Sequence, residues 1–362
     1  MADMRDGPAE TSPAQSGAPT GAPATVTPAS VPETAKIAGF WRRLLALFID
    51  GVLLAILGMA IGSIAFRQVV EMGQSGRLIG AAITLAYYGF LNSGWGGGAT
   101  LGKRMLGLRV VRRDGQTIGL FRSLLRTIVF WTPFYLDNVY FPSFRIPGFP
   151  ADPHIATAFA VLDAIVVFVG MFLIFYLYLF NRRTRQTLHD LIAGTFVVRE
   201  AGAPVVGHFW KGHLAVAAGV FVLALAVPLG VMSRLPGGPF QNTSTLEQAV
   251  LDRPGVASAQ VQTNTTVGQS ILGGKSTSFA STTLVVVVQA RGIPLSTTAM
   301  ENDVAAAVLK TDPTIVGQQY LSVKVTYGYD LGIWSWTTGE QYSGTPADWA
   351  KRLRDAKQTT SA

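Results

Sequence analysis

The stretch "LLALFIDGVLLAILGMAIGSIAF", residues 44–66, supplies the ~20 apolar residues that an α-helix needs to cross ~30 Å of hydrocarbon. Trp41, Arg42 and Arg43 stand at its entrance, where aromatic and basic side chains anchor a span at the headgroups. The whole chain agrees with a membrane reading. Of its 362 residues 49% are apolar and only 14% charged, against roughly a quarter charged in soluble domains. With no cysteine anywhere, neither a disulfide framework nor a thiolate metal site is expected.

Working outward, a second span is expected at 78–96, containing "LIGAAITLAYYGFLNSGW". Two more are expected at 155–180, "IATAFAVLDAIVVFVGMFLIFYLYLF", and at 213–232, "HLAVAAGVFVLALAVPLGVM". The run "LLRTIVFWTPFYLDNVYFPSF" (124–144) is apolar and aromatic but interrupted by Pro133, Asp137 and Pro142, so it either crosses or enters and returns. Charge favours a crossing. Lys103, Arg104, Arg109, Arg112 and Arg113 mark one loop as cytosolic, and Arg182, Arg183 and Arg185 mark another; an even number of crossings must separate them. The expected plan is therefore an α-helical polytopic membrane protein with about five transmembrane helices in the bacterial inner membrane. Residues 1–35, rich in proline and alanine, form a disordered cytosolic tail, and residues 36–234 form the membrane domain.

Residues 235–362 are expected outside the membrane as a small α+β domain. "TLEQAVLD" suggests a helix, "GVASAQVQTN" a strand, "GGKSTS" a flexible turn and "TTLVVVVQA" a buried strand. "TAMENDVAAAVLK" suggests a helix, "YLSVKVTYGYD" an alternating strand and "PADWAKRLRDA" a last helix, giving the order αββαβα. This part carries nine Lys/Arg and nine Asp/Glu, no histidine, and no acidic group at metal-ligand spacing, so it reads as a binding or assembly module. The basic excess of residues 1–234, 20 Lys/Arg against 12 Asp/Glu, belongs to the membrane half and follows the positive-inside rule rather than nucleic-acid binding.

One motif points elsewhere at first. In "GGGATLGKR" (96–104), Gly97, Gly102 and Lys103 satisfy most of the phosphate-loop pattern G-x-x-x-x-G-K-[ST]. The pattern lacks its supports: a membrane helix precedes it, Arg104 stands where a Ser or Thr should ligate magnesium, and "MLGLRVVRRDGQTIG" beyond it alternates like a strand with a turn at Asp114–Gly115. No nucleotide is expected, and no cofactor or metal. Four histidines (His154, His189, His208 and His213) and no recognisable nucleophile argue against an enzyme.

Three segments together carry a more specific signal. "FWRRLLALFID" (40–50), "GATLGKRMLGLRVVRRDG" (98–115) and "RQTLHDLIAGTFVV" (185–198) resemble, in order, the motifs of the RDD family of bacterial membrane proteins. The resemblance covers about residues 38–200, and the arginine and two aspartates that name the family fall on Arg43, Asp50 and Asp190. It implies a membrane protein of the cytoplasmic membrane, some of whose relatives are thought to exchange cations for protons. The fifth span and the external domain depart from the commonest family plan.

Arg43 and Asp50 lie seven residues apart, on one helix face but about 10 Å apart at 1.5 Å per residue, so they do not touch. A carboxylate two turns into a membrane needs a partner. Lys103, Arg104, Arg126, Arg182 and Arg185 are the expected candidates, with His189–Asp190 on the same side. "LGLRVVR" and "GTFVVRE" read as strands that pair into a small cap at that face. Two readings stand: buried ion pairs holding helix ends to the cap, or a cation or proton site built from Asp50, His189 and Asp190. Asp137 and Asp163, both assigned to spans, are further stations on a pathway or polar contacts between helices. The expected role is transport of ions or small solutes, or an accessory subunit whose external domain docks an envelope partner, with the lipid bilayer as the common partner.

Overall fold

Helix α1 (Phe40–Ile64) is built inside out relative to a soluble helix. Its buried face carries Arg43, Ala46, Asp50, Leu54, Gly58 and Gly62, while Leu44, Leu45, Phe48, Ile56 and Met59 are exposed. Spacings of three and four put the small and polar residues on one stripe and leave the large apolar ones for lipid. The same holds for α3 (Gly76–Leu91), which buries Gly76, Gly80, Thr84, Tyr88 and Gly89 and exposes Leu78 and Phe90. These observations come from a computed structural model that describes residues 34–137, 153–199, 202–234, 241–272, 275–312 and 320–360.

A short helix α2 (Phe66–Met72) joins α1 to α3. Beyond α3, a glycine-rich turn leads into α4 (Leu101–Met105), then β2 (Arg109–Val111) and α5 (Leu120–Leu136). Helix α6 (Pro153–Phe180) packs between α5 and α8 (Gly212–Arg234), and α7 (Leu188–Ala193) sits on α5. Strand β2 pairs antiparallel with β3 (Phe196–Val198), Val110 opposite Val197, so the expected cap exists. A two-residue parallel pair of β1 (Thr34–Ala35) with β4 (Ala203–Pro204) lies beside it, joined by Ala38 N–H to Val197 C=O.

Two helical segments among the described residues are long and apolar enough to cross a bilayer: α1, and Val161–Phe180 of α6. The expectation of five spans narrows accordingly. Helix α3 has 16 residues and α5 has 17, about 24 and 26 Å at ~1.5 Å per residue, short of a ~30 Å core. Helix α5 also spends Arg122 and Arg126 in its first half and carries Pro133. The remainder of the 124–144 run past Asp137, and tail residues 1–33, lie outside the described residues.

The C-terminal part contains α9 (Gln241–Leu251), β5 (Val256–Leu272), β6 (Lys275–Ala290), α10 (Thr297–Thr311), β7 (Tyr320–Asp330), β8 (Ser335–Gly344) and α11 (Pro346–Thr360). The order is αββαββα, not αββαβα. The four strands follow the order β5-β6-β7-β8, with β6 and β7 parallel and the outer pairs antiparallel. Strand β8 escaped the sequence reading because it is an exposed edge, "SWTTGEQYSG", with no apolar alternation to announce it. Of the turn expected at "GGKSTS", residues from Lys275 onward already belong to β6, and Gly273 and Gly274 lie outside the described residues. One sheet face, with Val286, Val288, Val323 and Val325, packs on Val304, Val308 and Trp349 of the helices.

The β7–β8 turn reaches into the helices. Tyr329 and Leu331 form a buried cluster with Val69 and Val70 of α2, backed by Ile61, Phe66 and Ile79. The turn is closed by Leu331 N–H to Trp334 C=O at 2.9 Å and by Gly332 N–H to Asp330 Oδ1 at 2.7 Å. Arg77 of α3 pairs with Asp330 at 3.2 Å. Its seat is made of glycines at fourfold spacing: Gly58 and Gly62 on α1, Gly76 and Gly80 on α3. A methyl group at Gly80 would lie 1.6 Å from the Leu331 carbonyl oxygen, so only glycine admits the turn.

Candidate functional site at the motif end of the bundle

The end of the bundle opposite this seat carries the three sequence motifs. Its centre is Asp190, fully buried in α7. Thr187 caps this short helix and Asp190 returns the bond to the cap, a capping box that fixes the carboxylate. Two guanidiniums reach it: Arg43 Nη2 of α1 at 2.5 Å and Arg126 Nε of α5 at 2.9 Å. Thr187 and Thr195 donate their hydroxyls, each at 3.1 Å. Arg43 also donates to the carbonyl of Arg185, a residue held at φ +52° in the turn after α6. Asp190 thus ties α1, α5, α7 and the root of β3 together. Burial alone would raise its carboxyl, but Arg126 and Arg43 hold it well below the usual carboxylate range.

His189 stacks edge-on to Phe130, contacts Arg126 Nη2 at 3.2 Å and sits against Thr187. Burial, with the positive field of Arg126 and Arg43, keeps it well below the ordinary histidine value despite Asp190, so it is neutral near pH 7.

Asp50 departs from expectation. None of Lys103, Arg104, Arg126, Arg182 or Arg185 forms an ion pair with it. Its oxygens accept instead from Tyr87 Oη at 2.7 Å, Thr100 Oγ1 at 2.6 Å and the Gly102 amide at 2.7 Å. Neutral donors satisfy a buried carboxylate at less desolvation cost than a second buried ion would carry. This explains Gly102: a Cβ there would lie 2.3 Å from the Ala46 carbonyl oxygen and 2.9 Å from Asp50 Oδ1. The glycine-rich turn therefore presents its amide to a carboxylate of α1. Arg104 folds back on the same turn, donating to Gly96 C=O at 2.5 Å and Ala99 C=O at 3.1 Å rather than to an aspartate.

Lys103 turns inward. Its Nζ donates to Asn92 Oδ1 at 2.6 Å and lies 5.9 Å from the centre of the Tyr88 ring. A cavity of about 60 Å³ opens here, lined by Arg43, Asp50, Lys103, Arg126 and His189 with Tyr88 and Trp131, enough for a few waters. Arg43 and Arg126 balance Asp50 and Asp190, and Lys103 is a third cation with a neutral partner. Burial, then Arg126, push its ammonium down to about 7 against the pull of Asp50 and Asp190.

Asp137 and Asp163 do not join this group. Asp137 ends α5, where its carbonyl accepts from Arg77, and with Asp163 it lines a separate cavity of about 570 Å³ with Phe168, Phe172 and Phe175 of α6. Phe134, in edge contact with Phe175 and Trp131, stands between the two cavities. Sequence reading missed the role of Arg126 on Asp190, and the donors Tyr87, Thr100 and Thr195. Thr100 and Thr195 lie inside the motifs, but a hydroxyl announces no partner. Among the described residues no group of three acidic or histidine side chains is placed to hold a metal ion.

Comparison with known proteins covers this same region. The model of the RDD family matches residues 37–194, which spans α1 to α7 and stops before α8 and the C-terminal domain. The chain is 29% identical over 162 residues to the uncharacterized protein YckC of Bacillus subtilis (strain 168), an overlap of 45% of this chain and 84% of that one. It is 30% identical over 129 residues to the uncharacterized protein YxaI of the same organism, covering 28% of this chain and 85% of the relative. No solved structure matches. With Arg43, Asp50 and Asp190 all inside the matched segment and all buried at one end of the bundle, the chain belongs to the RDD family, a family of membrane proteins.

Proposed function

We propose that this RDD-family membrane protein moves ions or small solutes, with a proton bound and released in the cavity between Lys103 and Asp50. The motif end faces the cytosol, the C-terminal domain lies outside, and α8 with the shorter helices α3 and α5 completes a multi-pass bundle in the bacterial inner membrane. Arg43, Arg126 and Asp190 form the frame, and Lys103 is the group that exchanges. The observation that carries this is the position of Lys103: its ammonium is directed into an ion-lined cavity with the neutral Asn92 as its side-chain partner. The outer cavity of Asp137 and Asp163 is the second station, across the Phe134–Phe175 contact. Nucleotide, nucleic acid and catalysis have no part in this reading.

Reconstituted vesicles carrying a pH or cation gradient test it. Wild-type protein should dissipate the gradient above the protein-free background, and Lys103→Met and Asp50→Asn should each slow that flux about tenfold or more, as expected for a group acting in proton transfer. Flux that is unchanged in both variants removes the proposed site. Absence of any wild-type flux, with another membrane protein co-purifying at a fixed ratio, selects the accessory-subunit reading. One observation favours that second reading: among the described residues β6 pairs with β7 across Thr283–Gln289, while the β5–β6 pairing runs on to Leu272–Lys275 as a two-stranded extension, a form suited to strand addition by a partner.

A further inference from the structure

A second charged site lies just outside the buried frame. A cleft of about 560 Å³ is lined by Lys36, Arg42, Arg182, Arg183, Arg185 and Arg199, together with Phe40 and Trp41, and among the described residues no acidic side chain lines it. Among the described residues none of these six cations forms an ion pair with a carboxylate. Three separate parts of the chain deliver them: the segment entering α1, the turn leaving α6, and the residue after β3. Arg185 is fixed in place, its Nη1 donating to Ile37 C=O at 3.2 Å. Gly39 precedes α1 with no side-chain cap, so the first turn of a 25-residue helix adds its positive end to the cleft.

Charge next to a membrane is ordinary; a concave site to which three parts of the chain bring six cations, with its own lipid-facing wall, is more specific. Trp41 is 77% exposed at the rim, and Leu44, Leu45 and Phe48 continue the exposed stripe of α1 away from it. The cleft therefore sits where a headgroup lies when its acyl chains run along α1. We infer that this cleft binds the phosphate of an anionic phospholipid, with Arg42, Arg182 and Arg183 as principal contacts, the lipid chains lying on the Leu44–Phe48 face. The chemistry recognised is a phosphodiester anion. The source is a lipid rather than a free phosphate because of that continuous apolar wall.

The test is lipid retention by the full-length protein, purified in detergent with phosphatidylglycerol and phosphatidylcholine offered together. Wild-type protein should retain phosphatidylglycerol in preference, and Arg182→Gln with Arg183→Gln should lower that retention about thirtyfold, since each of the two basic groups near a membrane surface contributes ~1 kcal/mol. A charge-matched control, Arg109→Gln with Arg113→Gln, removes two exposed cations elsewhere at the motif end and should leave retention unchanged. Equal loss in both pairs overturns the site in favour of general charge attraction, and equal retention of the two lipids in wild type overturns it outright. Full displacement of phosphatidylglycerol by inorganic phosphate also overturns the lipid assignment. Because the charges removed are those of the cleft and not of the buried frame, the result stands apart from the flux measurement.

Discussion

Asp190 and Asp50 are both buried, yet the two carboxylates are held by different physics, and substitutions should separate them. Asp190→Asn removes the carboxylate that both buried guanidiniums pair with, which costs about 3–5 kcal/mol when one partner of a buried pair is lost. Asp50→Asn faces three neutral donors and should cost about 1–3 kcal/mol, the range for losing bonds to a charged acceptor. Thermal unfolding in detergent should show the larger fall for Asp190→Asn; equal falls would mean that Asp50 has an ionic partner after all. Lys103 gives a pH signature. Unfolded, it keeps its proton to about 10.5, and folded only to about 7, so between these values the unfolded chain binds more protons and stability rises with pH. Wild type should gain melting temperature from neutral toward pH 10 relative to Lys103→Met, in which that increment is absent. The charged members of this site stood out in the sequence because Arg43, Asp50 and Asp190 sit in apolar or motif surroundings. The pairing did not: Asp50 is answered by a tyrosine, a threonine and an amide, none of which carries charge to reveal it.

At the scale of elements, the β7–β8 turn and the glycines of α1 and α3 form one interlocking piece. Gly80→Val places a side chain where the Leu331 carbonyl now lies and should dislodge the turn. Limited proteolysis reads this directly: cleavage at 331–334 should be slow in wild type and fast in Gly80→Val, and equal protection would show that the turn is held by the domain alone. A signal for this seat was present in the sequence, since Gly58 and Gly62, and Gly76 and Gly80, each keep the fourfold spacing of close-packing helices. What it did not show was the occupant, because the spacing is the same whether another helix or a hairpin fills the groove. Strand β8 was invisible for a related reason. One of its faces meets solvent and its partner is a single strand, so its residues obey turn and surface preferences more than a core pattern.

For the whole molecule, helix positions were legible and membrane crossings were less so. Apolar runs located all five long helices of the membrane half, but α3 and α5 stop short of bilayer thickness, with α5 turning an arginine toward Asp190 rather than toward lipid. The proposed orientation has its own check, made clean by the lack of cysteine. Cysteine placed at exposed Leu295 should react with an impermeant maleimide on intact cells, and cysteine at exposed Asp114 only after the membrane is opened. Reaction of both, or the reverse order, would sink the assignment of the motif end to the cytosol.

The glycine seat also sets an order of assembly. Gly58, Gly62, Gly76 and Gly80 are synthesised long before the turn at 331–334 that fills them, so α1 and α3 must wait with an open furrow. Completion of the bundle is thus deferred until residues 331–334 have been made. A nascent chain halted before β7 would offer that furrow to any other small-residue helix, a natural point for a quality-control protease or an insertion factor to act.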